Sequence, residues 1–497
     1  MKNIATRILA SLLGGSLFAF ALDYAFLGIS ARPFIDQALL LFFSILPAGY
    51  LLYIFLETRL DGRDHPIPAI QVILSKINLK LFFLQYGSGI PLAIIFSVVY
   101  SLIGMTLNMA GIETVDNFLD ADNSTWVQRI AGPSGYSYEM RGPHPFAFLI
   151  FRPMGWLFNI FTGNYVLSAI LLNAIAGGVC VFLVWVYVRR RAGDPTYALL
   201  FAGLIGLTTT HLFFGSVVES YIFSAASLIV FFVLLQMESA PLGLLVASSL
   251  VTFGITLTNF IQSIIGYVIQ RPRFRDIIRF AGLAGSIGII LSLVHSALYP
   301  SARLFFLLSG VRAEEEFTVS LFSDPSWKII GRIVLLVRTI LLYTVIAPKP
   351  YVFTREVGGI FPRFNFFKIV PGTFSFSSYD AVGKLLVLIW VVVLLGSLFV
   401  FVRDFVKHRK FDIRSALLAC LFFNFFLHLF YGYEPFLYSA DWAYALILFA
   451  AISLVSQAKN PVFKLGMLIF LIVLAYHQLQ FIKFIVDTMA PFVGRGT

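Results

Sequence analysis

Residues 385–402 read LLVLIWVVVLLGSLFVFV, eighteen residues without a charge. A helix rises about 1.5 Å per residue, so a run of this length matches the roughly 30 Å hydrocarbon layer of a bilayer. Inside that layer the backbone has no water to bond, and only a helix or a closed barrel satisfies it. The feature recurs along the chain. Apolar runs cover residues 6–28, 36–56, 81–107, 165–188, 196–212, 217–236, 242–257, 259–270, 279–298, 383–403, 414–430, 437–456 and 462–484. They predict an all-α polytopic membrane protein of about thirteen transmembrane helices, one transmembrane domain over residues 1–497. A barrel would alternate apolar and polar residues over segments of about ten, and these runs are continuous. Charged residues make up 12% of the chain, about half the share of a soluble domain, which is near 25%.

The net charge of +11 would suggest nucleic acid in a soluble protein. In a membrane chain it belongs to basic loops and to a pocket for an anionic ligand, and nucleic acid is not among the expected partners. Cys180 and Cys420 both lie in apolar runs and read as core thiols. Lys2 and Arg7 precede the first run without a small-residue cleavage site, which reads as an uncleaved first helix. The pair 242–257 and 259–270 is interrupted near TLTN (Thr256 to Asn259), a break that needs protein or a cavity beside it.

Lysine and arginine in short loops orient the chain. Lys2 and Arg7, then Arg59, Arg63, Lys76 and Lys80, then Arg189 to Arg191, then Arg271 to Arg275, then Lys407 to Lys410 all fall on one side if the runs alternate. That side is read as cytoplasmic. Residues 145–162 and 328–347 are apolar but carry Arg152 and Pro153 in one, and Lys328, Arg332 and Arg338 in the other. A centred arginine costs about 2.5–3.5 kcal/mol on insertion, so both are expected to lie as helices in the outer interface. Two large exoplasmic loops result: 108–164, which is acidic, and 299–382, which is basic. The expected location is a bacterial inner membrane, with the polar face toward the periplasm.

That outer face holds nearly all the chemistry. The first loop contains FLDADNSTWVQRIAGPSGYSYEMRGPHPF, residues 118–146. Asp120 and Asp122 form an Asp-x-Asp pair that can act as a base, bind a metal or hydrogen-bond a sugar, or merely be solvated. Arg141 and His144 follow as candidate substrate contacts; His144 before Pro145 can equally orient the next helix. Glu219 and Tyr221 open a membrane helix, where a carboxylate suits the helix dipole and also suits a sugar or cation. His428, Glu434, Tyr438 and Asp441 cluster around one outer turn, with Tyr433 and Trp442 as possible stacking walls beside the simpler reading of a polar turn. The Asn123-Ser124-Thr125 sequon overlaps the acidic pair and is discounted. No histidine or cysteine spacing indicates zinc. A divalent cation on Asp120 and Asp122 is chemically compatible, with no further ligands close in sequence.

The order of these pieces resembles the GT-C superfamily of membrane glycosyltransferases, which includes protein O-mannosyltransferases and aminoarabinose transferases. The resemblance covers the arrangement of most of the chain, with its motifs in 116–153, 211–221 and 428–442. It implies a lipid-linked sugar donor, usually on polyprenyl phosphate, and transfer with inversion to a glycan, lipid or protein acceptor outside the membrane. It implies a base in the first large outer loop, at Asp120 or Asp122. Such chemistry leaves an anionic phosphate, and the second loop supplies Arg303, Arg312, Lys328, Arg332, Arg338, Lys349, Arg355, Arg363 and Lys368. Arg303, Arg338 and Lys349 are the expected phosphate contacts, against the alternative of a basic rim facing lipid headgroups. Two other functions compete. A lipid-linked glycan ligase or polymerase shares basic outer loops but lacks the early acidic motif. A sugar or lipid flippase usually shows internal repeats and mid-membrane charges, and the sequence shows no repeat.

Overall fold

A computed structural model describes residues 2–60, 85–108, 117–237, 240–321, 324–353 and 361–492. Arg63, Lys76, Lys80, Arg355 and the side chains of Lys2 and Arg59, all used in the sequence reading, lie outside the described residues. The first helices are α1 (Lys2–Ala25), α2 (Phe34–Leu60), α3 (Ile90–Leu107), α4 (Asn123–Ile130) and α5 (Ala147–Thr162). Then come α6 (Tyr165–Ala192), α7 (Pro195–Leu207), α8 (Thr209–Phe214), α9 (Tyr221–Leu235), α10 (Leu242–Ile255), α11 (Leu257–Gln270) and α12 (Phe274–Leu298). The last are α13 (Leu308–Ala313), α14 (Ser326–Arg338), α15 (Ala381–His408), α16 (Ile413–Phe430), α17 (Ala440–Ser453) and α18 (Pro461–Met489). The protein is an all-α polytopic membrane protein.

Among the described residues eight helices are long and apolar enough to cross a membrane: α1, α2, α3, α6, α12, α15, α16 and α18. The other expected crossings are shorter. α9 has 15 residues, and α10, α11 and α17 have 14 each. The expected run 196–212 ends as α7 at Leu207, turns at Thr208 and restarts as α8. The reason lies in burial. Every residue of α17 is buried, and so are most of α9. Such helices are surrounded by protein and end where the polar chain above them begins, so their length is not set by lipid.

Local chemistry fixes the ends. Asn164 caps α6 by accepting from the N–H groups of Val166 and Leu167 at 2.9 and 3.1 Å. Gly193 terminates it with φ +69°, a conformation glycine adopts without Cβ strain. Asp194 then caps α7, with Pro195 at its first turn. Two of the basic clusters, Arg189 to Arg191 and Arg271 to Arg275, lie at this end of the bundle. Arg190 donates to Tyr86 Oη at 2.9 Å, Arg271 to the Met237 carbonyl at 3.1 Å, and Lys464 pairs with Asp194 at 2.6 Å.

At the opposite end lie the two large loops. Helix α5 buries Ala147, Phe148, Phe151 and Gly155, while Trp156 is 68% and Phe161 80% exposed. Arg152 turns inward, donating to the Gly132 carbonyl at 2.6 Å. Helix α14 does the same: Arg332 is buried while Ile330, Ile333, Val334 and Val337 face out. A helix with arginine inward and aliphatics outward meets lipid with its apolar face. The helix expected over 328–347 is shorter than read: α14 stops at Arg338, widens into a π-turn over Thr339–Tyr343, and the chain leaves through Pro348 and Pro350. Beyond it are two antiparallel ribbons that the sequence reading did not foresee, β1 (Tyr351–Phe353) with β2 (Arg363–Asn365), and β3 (Phe367–Val370) with β4 (Thr373–Phe376).

Candidate functional site

The acidic turn is built from both large loops. Phe118 lies beside Phe364 of β2 in a parallel bridge, with the Leu119 N–H donating to the Phe364 carbonyl at 3.1 Å and the Phe364 N–H to Asn117 at 2.9 Å. Leu119 and Asp120 then both take left-handed backbone conformations, φ +54° and +66°. Aspartate tolerates this region; for leucine it costs roughly 1–2 kcal/mol. Leu119 and Ala121 are fully buried and Asp120 is exposed between them. The turn thus presents one carboxylate at its tip. The charge of Asp120 acts on Glu434 and Tyr438.

Asp122 sits differently, at the N-terminus of α4. Its N–H donates to Glu219 Oε1 at 2.6 Å, while Glu219 Oε2 accepts from the Ser220 N–H at 3.1 Å. Burial, then the nearby Asp122 charge, pushes the Glu219 carboxyl well above its ordinary range. Arg129 lies in the same field, its own pKa lowered by burial and raised by Asp122 and Glu219. Asn123, the sequon asparagine, is fully buried, bonding Asn108 Oδ1 and the Val218 N–H at 2.7 Å each.

Near this turn opens a cavity of about 260 Å³, close to the lower end of ligand pockets, which is about 300 Å³. Five chain segments converge on it: Arg141 to His144, Tyr221, Thr256 to Thr258 in the α10–α11 break, Phe305 to Glu314, and Leu427 to Tyr438. The break expected at TLTN is where the first loop docks. The Leu257 N–H donates to the Pro143 carbonyl at 2.8 Å, and His144 Nδ1 donates to the Ile255 carbonyl at 2.6 Å. Gly254 permits the approach, since a Cβ there would meet the Phe146 ring at 2.1 Å. Burial pulls the His144 pKa down to about 3, so the ring is neutral, with Nδ1 protonated and Nε2 left as an acceptor.

Arg141 pairs with Glu314 and donates to Tyr431 Oη at 3.1 Å; Tyr431 Oη donates to Glu314 Oε2 at 2.8 Å. The guanidinium also lies 3.5 Å from the centre of the Phe317 ring. Tyr438 stacks on His428 at 4.2 Å and meets Tyr221 edge-on at 5.4 Å. Glu434 is buried, accepting from the Phe436 N–H at 3.2 Å, and burial pushes its pKa up to about 8. Among the described residues no three His, Cys, Asp or Glu side chains are grouped to hold a metal ion.

The candidates from the sequence therefore divide. Arg141, His144, Tyr221, His428 and Tyr438 line one cavity; Asp120 and Glu434 do not line it, and the charge of Asp120 acts on both Tyr438 and Glu434. Arg303, Arg338 and Lys349 do not line it. Arg303 pairs with Glu139 in a second cavity of about 400 Å³ that shares Gly310 with the first. Arg338 donates to the Ser377 carbonyl at 3.2 Å, and the exposed Lys349 stands nearby, its N–H on Ser378. Arg332 binds the carbonyls of His428, Tyr431, Gly432 and Tyr433, so it holds a turn. Trp442 is fully buried, donating to Thr344 Oγ1 at 2.9 Å, and offers no stacking wall. Glu314 and Tyr431 were missed. The run Glu314 to Glu316 inside an otherwise basic loop was the available signal.

No family model matches the chain, and no curated protein matches it. Among solved structures, the arabinosyltransferase EmbB from Mycobacterium smegmatis is similar at a TM-score of 0.39 and 13% identity, over 84% of this chain and 34% of that one. This chain spans about a third of that enzyme's length.

Proposed function

We propose that this protein is a membrane glycosyltransferase of the GT-C type. It moves a sugar from a polyprenyl-phosphate-linked donor to an acceptor hydroxyl at the outer end of the bundle, with inversion and with Asp120 as general base. The observation that carries the reading is the position of Asp120: an exposed carboxylate on a left-handed turn between buried neighbours, whose charge acts on the Tyr438 that walls the cavity. Strain of this kind is concentrated at functional sites.

In this reading Asp120 takes the acceptor's hydroxyl proton as the acceptor oxygen attacks the anomeric carbon. The bond from that carbon to the phosphate oxygen breaks, and its electron pair leaves with the phosphate. Arg141 and His144 orient the sugar. Arg303, in the adjoining cavity, is the basic residue of the second loop that stands next to the site, and the leaving phosphate is assigned to it. Asp122 and Glu219 fix the turn from behind. The basic end of the bundle faces the cytoplasm under the positive-inside bias, so the cavity opens to the exterior, the periplasm in a bacterial inner membrane. The acceptor is a glycan, lipid or protein hydroxyl.

Purified protein in lipid nanodiscs, given a panel of radiolabelled polyprenyl-phosphate sugars and membrane-extract acceptors, should transfer one of them with inverted anomeric configuration. Asp120→Asn should lower turnover roughly 100- to 10,000-fold, the usual contribution of a positioned base. Retained configuration, or full turnover in Asp120→Asn, would remove the mechanism. Transfer from none of the donors would remove the function.

A further inference from the structure

The wall of the first cavity carries two charged side chains among the described residues, Arg141 and Glu314, and they are paired with each other. This is unexpected in a loop region rich in lysine and arginine. The pair is also well satisfied: Tyr431 bridges it and the Phe317 ring covers the guanidinium. The remaining polar groups of the wall include the hydroxyls of Tyr221, Tyr438 and Thr258 and the imidazole of His144. Thr256 Oγ1 adds a second kind of observation. It is buried and has no hydrogen-bond partner among the described residues, and a buried hydroxyl in that condition is uncommon. Thr256 is itself a residue of the cavity wall.

Aromatic faces suit the C–H faces of a sugar ring, and uncharged donors and acceptors suit its hydroxyls. A carboxylate or ammonium on the ligand would be desolvated against a wall whose own charges already cancel, and a buried charge without a partner is costly. We infer that the cavity accepts an uncharged sugar, a pentose or hexose without carboxylate or amine, and that the Arg141–Glu314 pair sets this selectivity. The inference rests on the glycosyl-transfer reading and names the class of sugar for it. Glu314 neutralises the one guanidinium that would otherwise recruit an acidic sugar.

The test compares three polyprenyl-phosphate donors, carrying a neutral sugar, a uronic acid and an amino sugar, in the wild type and in Glu314→Gln. Glutamine keeps the shape and an acceptor oxygen for Arg141 and removes the charge. The wild type should use the neutral donor with kcat/KM at least about ten times that of either charged donor. Glu314→Gln should shift the uronic-to-neutral ratio upward by about tenfold or more, the scale of a charge-assisted hydrogen bond. A wild type that prefers a charged donor, or a folded Glu314→Gln with an unchanged ratio, overturns the inference and leaves glycosyl transfer standing. If no donor supports transfer, that counts against the transfer reading, and saturation-transfer NMR with the three free sugars decides the selectivity separately: binding of the neutral sugar alone upholds it, and binding of a charged one overturns it. Should Glu314→Gln fail to fold, the wild-type panel decides alone.

Discussion

Glu219 Oε1 accepts the Asp122 N–H at 2.6 Å across 97 residues of sequence. A carboxylate at the mouth of α9 thereby fixes the first residue after the acidic turn, and its other oxygen holds the Ser220 N–H. Glu219→Ala would leave two N–H groups without acceptors, at about 1–3 kcal/mol for each one buried. We expect a lower melting temperature in detergent, and a fall in kcat with donor KM little changed, because the turn that presents Asp120 loosens while the cavity wall stays. Glu219→Gln, which keeps one acceptor, should recover part of both. Unchanged kcat in a folded Glu219→Ala would make the contact a matter of stability alone.

Arg303 and Arg338 were grouped by sequence and are separated by the fold. Arg303→Ala should raise the apparent donor KM by roughly 10- to 150-fold, the effect of losing one charged phosphate contact. Arg338→Ala, whose guanidinium packs near Tyr343 and Phe376 and bonds the Ser377 carbonyl, should leave donor KM within about twofold. Steady-state kinetics on both variants, with acceptor held saturating, separates them; equal effects would return the second loop to a general basic rim.

Glu434 gives a pH signature. Its folded pKa is raised by burial, with the Asp120 charge adding, from 4.5 to about 8. The folded chain therefore holds this proton over a range where the unfolded chain has released it. Stability contributed by the neutral carboxyl is full below about pH 4.5 and declines as pH rises through about 8. His144, pulled down to about 3, acts in the opposite direction: its contribution is present above about pH 6.5 and is lost as pH falls. The difference between Glu434→Gln and wild type isolates the first effect. Melting temperatures measured from pH 5 to pH 9 should fall less steeply with pH in Glu434→Gln.

The two free cysteines, Cys180 and Cys420, are buried, which leaves a clean background for labelling. A cysteine at Ser134 or Ser375 should react with an impermeant maleimide from outside intact cells, and one at Arg191 should react only after permeabilisation. The reverse pattern would invert the membrane orientation and place the cavity in the cytoplasm.

The gathering of the polar segments was legible because each carries residues that are expensive inside hydrocarbon, Asp120, Arg141 and Glu219. Lengths were less so. α17 is apolar enough to read as a span, yet composition does not distinguish a helix sheathed in protein from one facing lipid. The charges of the second loop were the least legible. Arg332 looked like a free cation and is consumed by four backbone carbonyls at the 428–433 turn. Arg141 acquires its partner from a loop 173 residues away. Neither local periodicity nor net charge carries such pairings. The ribbons β1–β4 were hidden because their strands have three or four residues each, too short to establish a period of two.

Helix α17 is enclosed on all sides, and it is the penultimate helix of the chain. Its alanines, Ala440, Ala443, Ala445, Ala450 and Ala451, let α6, α7, α9, α15 and α16 close around it. The ribosome delivers it only after α1 to α16 have been made. The surfaces of α6, α7, α9, α15 and α16 that α17 covers are therefore made before the helix that covers them. A truncation between residues 430 and 440 would keep all five and leave those surfaces without their partner.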